Sequence, residues 1–101
     1  MITTWPAKDP AESLFCGFDY TSALDDGESI SGATVTADLL TGIDPNPEDI
    51  LFDVPTIAAG IVLQPFRAGV HRANYRLRCV ATVGPTGRIL VLAARLRVRT
   101  A

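Results

Sequence analysis

Along most of this chain apolar and polar residues alternate with a period of two, the mark of strands with one buried face. Leu14, Cys16, Phe18 and Tyr20 share one face of a first predicted strand. After an Asp25-Asp26-Gly27 turn, Ala33, Val35, Ala37 and Leu39 alternate with Thr34, Thr36 and Asp38 in a second. Ile57, Ala59, Ile61 and Leu63 predict a further strand, which Pro65 is expected to end because it lacks a donor. Between these, Gly42 to Pro55 holds three prolines and reads as loop, with a short edge strand expected around Ile50 to Phe52. Helical periodicity is nearly absent, so the chain reads as all-β.

The C-terminal hairpin is the best-marked element. Ala73, Tyr75, Leu77, Cys79, Ala81 and Val83 face one way, Gly84-Pro85-Thr86-Gly87 turns the chain, and Leu90, Leu92, Ala94, Leu96 and Val98 return on the same face. A four-residue loop sets Val83 against Arg88, Cys79 against Leu92 and Tyr75 against Leu96. On the opposite face the same register sets Arg76 against Arg95 and Arg72 against Arg99, with Arg78 and Arg97 close by. Like charges directly opposite are destabilising. Nearer the turn Val80 opposes Val91 and Thr82 opposes Ile89, so Val80, Ile89 and Val91 make an apolar patch beside the arginines. Such a surface suits an interface, arginine being the cation preferred there. Acidic residues of the same subunit could equally cover it, and both readings stay open.

Charge is sorted along the chain. Residues 1–53 carry all eleven carboxylates and the single lysine, Lys8, whereas residues 67–99 carry all eight arginines and no carboxylate. Opposite halves can neutralise each other within one fold or between stacked copies. At 101 residues the chain is expected to be one sandwich domain over 12–101, preceded by an extended arm over 1–11, where Trp5-Pro6 and Asp9-Pro10 favour extended backbone. Trp5 is a candidate anchor, either in a neighbouring chain or on its own sandwich.

Chemistry-bearing motifs are missing. His71, the one histidine, stands in a turn without a sign of an orienting partner, and no phosphate loop, dinucleotide fingerprint, zinc spacing or Gly-x-Ser-x-Gly occurs. No enzyme, metal or cofactor is therefore expected. No apolar run approaches the about 20 residues of a membrane helix, no secretion signal is evident, and Cys16 and Cys79 are expected to be reduced, buried residues. Nucleic-acid binding is disfavoured by a pI of 5.1 and by the lack of aromatics on the outward hairpin face. Tyr75, following Gly69-Val70-His71-Arg72-Ala73-Asn74, is a candidate corner tyrosine, its hydroxyl bonding back to the preceding turn as in an immunoglobulin-like antiparallel β-sandwich; a plain core aromatic is the alternative.

Trp5-Pro6-Ala7-Lys8-Asp9-Pro10, Phe18-Asp19-Tyr20, Leu24-x-x-Gly27-Glu28-x-Ile30, Tyr75-x-Leu77-x-Cys79 and Gly87-Arg88 together resemble a family of small tailed-phage virion proteins, the fiber-to-tail adaptor or head-fiber-like proteins. Ala73 stands where a second glycine would be expected before the tyrosine. The resemblance implies a non-catalytic immunoglobulin-like domain, present in several copies of a symmetric assembly, that joins a fiber or a neighbouring virion protein to the tail or neck. It also implies a virion location after assembly in the host cytoplasm. The alternatives are a head decoration or head-fiber base protein, and an adhesive carbohydrate-binding β-sandwich. On any of the virion readings Arg72, Arg76, Arg78, Arg95, Arg97 and Arg99 form the expected basic interface.

Overall fold

A computed structural model describes residues 2–100, with side chains from Trp5 onward. The domain limits expected from the sequence begin and end on Met1 and Ala101, outside the described residues. Among the described residues seven strands follow in order: β1 (Ile2–Thr4), β2 (Leu14–Asp19), β3 (Ser29–Thr41), β4 (Thr56–Ala58), β5 (Ile61–Phe66), β6 (Asn74–Gly84) and β7 (Ile89–Arg97). They form a sandwich of two sheets, one ordered β1-β7-β6-β3 and the other β2-β5-β4. All pairings are antiparallel except β1 with β7, which run parallel.

The core lies between the sheets. Tyr75, Leu77, Cys79 and Ala81 of β6 are fully buried, packed with Ala94 and Leu96 of β7, Ala37 of β3, Phe18 of β2, and Val62 and Phe66 of β5, and Val83 of β6 is fully buried as well. Tyr20, just past β2, crosses from one sheet to the other and donates its hydroxyl to Cys79 O at 2.8 Å, giving a buried polar group its partner. The two cysteines are free thiols.

Pairing between β6 and β7 follows the register predicted from the sequence, from Asn74 opposite Arg97 to Thr82 opposite Ile89. Three expectations are corrected. Ile57 to Leu63 is a hairpin, not one strand: Ala59 and Gly60, at φ of 49° and 83°, make a two-residue turn between β4 and β5, as the twist of paired strands favours. The buried side of β5 is then Val62, Gln64 and Phe66. Pro65 does not end that strand, because β4 stops at Thr56 opposite Leu63 and leaves β5 a single ladder partner at Pro65. Around Ile50 to Phe52 there is no strand but a 3₁₀ turn over Pro47–Ile50 and one bridge, Leu51 to Phe66.

The N-terminal segment lies along β7. Beyond β1, Trp5 N–H donates to Arg95 O, Lys8 N–H to Arg97 O, and Arg99 N–H to Lys8 O. Trp5 packs on its own sandwich, its ring 5.3 Å from that of Phe18 and 6.0 Å from that of Phe66. Lys8 is fully buried and donates Nζ to Ala68 O at 2.7 Å and Asp9 O at 2.8 Å. Burial lowers its pKa, against the pull of Glu12 and Asp9.

At the other end of the sandwich, Glu28 joins two turns. Its carboxylate accepts from Arg88 Nε at 3.0 Å, from a second Arg88 nitrogen, from the Thr86 hydroxyl and from the Asp25 N–H. Its side chain is only 3% exposed. Bonds from Arg88, then Thr86 and Asp25, hold the Glu28 carboxyl down at about 2, against an ordinary 4.5. A depressed carboxyl stabilises the fold above its unfolded pKa, and the stabilisation is lost as the pH falls through the folded value. Thermal melts should therefore show extra destabilisation of the protein between pH 4.5 and about 2, and Glu28→Gln should remove that part of the pH dependence.

Candidate basic interface

Burial of the odd-numbered side chains of β6 drives the even-numbered ones to the outer face of the four-stranded sheet. The face is built in rows across β3, β6 and β7. Asp38, Arg76 and Arg95 form one row; Thr36, Arg78 and Ala93 the next; then Thr34, Val80 and Val91; and Gly32, Thr82 and Ile89. Arg97 lies opposite Asn74 at the foot of the face. Arg78, Arg95 and Arg97 are exposed and Arg76 is half-buried. Ile89 is 65% exposed and Val91 41%, with Val80 half-buried between strands.

Among the described residues these arginine side chains have no ion-pair partner: the ion pairs are those of Arg88 with Glu28 and Asp25, and none involves Arg76, Arg78, Arg95 or Arg97. The Nε of Arg76 is shut off from solvent without an acceptor, an arrangement that costs about 1–3 kcal/mol for a typical group. Arg95 and Arg97 line a groove of about 570 Å³ together with Leu40, Thr41 and Asn74. Asp38, Leu40, Thr41 and Asn74 were absent from the interface read from the sequence. Asp38, Leu40 and Thr41 join it only because β3 lies beside β6, which no local pattern encodes, whereas Asn74 stands on β6 itself, opposite Arg97.

Two expected members lie elsewhere. Arg72 sits in the turn before β6 at φ of 69°, so the predicted ladder pair with Arg99 does not form. Arg99 turns its guanidinium onto Val98 O, Ala73 O and Asn74 Oδ1. Both residues mark the end of the regular pairing, where Val98 O accepts the Arg72 N–H and Ala73 O accepts the Val98 N–H, two residues against one, while Ala73 N–H bonds back to Val70 O. His71 accepts the Thr100 N–H at Nδ1.

The same turn is held by Tyr75. Its hydroxyl accepts the Val70 N–H at 2.9 Å and donates to Asp44 Oδ2 at 2.6 Å. Burial, then the bond to Asp44, pushes this phenol up to about 12.

Compared with known protein families, residues 8–97 match the family described as podophage GP4 fiber-tail adaptor protein gp77. The chain belongs to that family. Comparison with curated proteins found no match. The matched span of this gp77-family chain takes in all of β2 to β7, and with them the complete basic face.

Replacing Arg95 with threonine should relieve the like-charge pair with Arg76 and raise the melting temperature of the isolated domain in low salt. The expected gain is roughly 0.2–1 kcal/mol, shrinking in about 0.5 M salt; a fall in melting temperature would mean that Arg95 is compensated inside the chain. Tyr75→Phe leaves the Val70 N–H unpaired and should cost about 1–3 kcal/mol, read as a lower midpoint in denaturant with an unchanged slope.

Proposed function

We propose that this gp77-family chain is a non-catalytic connector of the phage particle, present in several copies, that attaches a fiber or a neighbouring structural protein to the tail or neck. Its docking surface is the outer face carrying Arg76, Arg78, Arg95 and Arg97 next to Val80, Ile89 and Val91. The observation that carries this reading is the set of four arginines facing a single carboxylate, Asp38, with no ion pair among the described residues. A fold that needed these cations for its own stability would pair them. A surface shaped for a partner keeps them open, to be met by carboxylates and apolar groups of the neighbouring protein.

Strand order supports an immunoglobulin-like arrangement. β2, β5 and β4 correspond to strands B, E and D, and β3, β6 and β7 to C, F and G. The adhesive reading, by contrast, calls for a row of exposed aromatics, and Phe15 is the one aromatic among the described side chains that is freely exposed.

Changing Arg76 and Arg95 together to glutamate tests the docking surface. The double variant should fold and melt cooperatively as an isolated domain but fail to join particles in an in vitro assembly or complementation assay. Normal incorporation of the variant would overturn the assignment of this face.

A further inference from the structure

The long strand β3 is an edge. It spans thirteen residues, Ser29 to Thr41, and is hydrogen-bonded on one side only, to β6. Among the described residues, no backbone group from Ala33 to Leu39 bonds to anything but β6. Bulges interrupt the pairing at Ile30/Gly32 and at Leu39/Thr41, leaving a regular stretch between them. That stretch contains no proline and no lysine, two devices that ordinarily protect a sheet edge. Every second residue of a regular antiparallel strand turns its N–H and C=O outward, so the free side of Ala33 to Leu39 is a row of ready donors and acceptors.

Two further observations identify what this edge fits. On the inner side of β3 Ala37 is buried but Ala33, Val35 and Leu39 are only half-buried, so the sandwich is left unsealed beside its free edge. On the outer side the residues are Thr34, Thr36 and Asp38, and the pattern is self-complementary. Placing a second β3 antiparallel about Thr36 sets Thr36 against its own copy, each Thr34 hydroxyl against an Asp38 carboxylate, and each Val35 against an Ala37. No like charges meet, and the apolar residues of both copies fall on the same side.

We infer that two copies of this chain associate edge to edge through β3, about a two-fold axis at Thr36, to form a continuous eight-stranded sheet. The occupant of the edge is thus a second copy. The Arg76 rows of the two copies would be three strand spacings apart, roughly 14 Å, beyond the screening length of about 8 Å at physiological salt. Pairing therefore joins the two basic faces side by side without pressing them together, which extends the proposed docking surface and does not compete with it.

Cross-linking of the full-length chain tests this register. Thr36 is exposed, Cys79 is buried in the core, and burial holds the Cys16 thiol up at about 12, so a cysteine introduced at position 36 is the reactive thiol. Under mild oxidation Thr36→Cys should give a covalent dimer where the unaltered protein does not. Thr34→Cys alone should not cross-link, and Thr34→Cys combined with Asp38→Cys should. Sedimentation at high micromolar concentration should show a dimer that Thr36→Lys weakens by about fivefold or more, while the Arg76→Glu, Arg95→Glu variant still dimerises. A protein that stays monomeric, and whose Thr36→Cys variant forms no covalent dimer, overturns the inference, as does a dimer dissolved by the arginine changes but not by Thr36→Lys. A Thr36→Cys variant that cross-links only to another virion protein would give the edge to a different occupant and overturn it as well.

Discussion

Strand β6 is hydrogen-bonded on both sides, to β3 and to β7, and its odd-numbered residues from Tyr75 to Val83 are sealed in the core. In a pleated strand that leaves the even-numbered residues a single destination, the opposite face. Arg76, Arg78, Val80 and Thr82 are therefore outward by necessity. Slipping β6 by one residue to hide the arginines would expose Tyr75, Leu77 and Cys79, and burying any of these side chains is worth more than one exposed ion pair contributes. Core and face are thus two readings of one alternation.

Residues that looked like loose motif matches turn out to share two structural tasks. Leu24-x-x-Gly27-Glu28-x-Ile30 and Gly87-Arg88 meet in the Glu28 carboxylate, where two turns distant in sequence are tied at one end of the sandwich. Gly27 and Gly87, both at φ of 80°, supply the left-handed backbone of those turns. At the other end Lys8 and Tyr75 reach backbone groups of the segment from Ala68 to Val70. The strands between these ties carry the basic face, and its geometry is held from both ends.

The β6–β7 hairpin was legible because its signal is local: a turn of glycine and proline between two alternating runs fixes register and face together. The outward position of Arg76, Arg78, Arg95 and Arg97 followed from that register alone. What escaped the sequence is whatever depends on distant neighbours or on backbone sign. Ala59-Gly60 lacks the asparagine or aspartate that flags a two-residue turn, so in the sequence the hairpin it makes reads as one strand with its inward side reversed. Arg72 was in phase with the strand, yet Arg72 N–H and Ala73 O both bond to Val98, two residues against one, which breaks the phase before Arg72. That Asp38 would stand beside Arg76 required knowing which strand flanks β6, and that choice is made by packing of the whole sandwich.

The parallel run of the N-terminal segment beside β7 has a mechanical corollary. Ile2 stands opposite Ala93, whereas Lys8 bridges to Val98, so the described ends of the chain, Ile2 and Thr100, lie toward opposite ends of this seam. Tension applied between them acts along the strand axes as shear, loading the bonds from Trp5 to Arg95, Lys8 to Arg97 and Arg99 to Lys8 at once instead of peeling them apart singly. With Trp5 and Lys8 embedded along the same line, the segment acts as a rivet under strain.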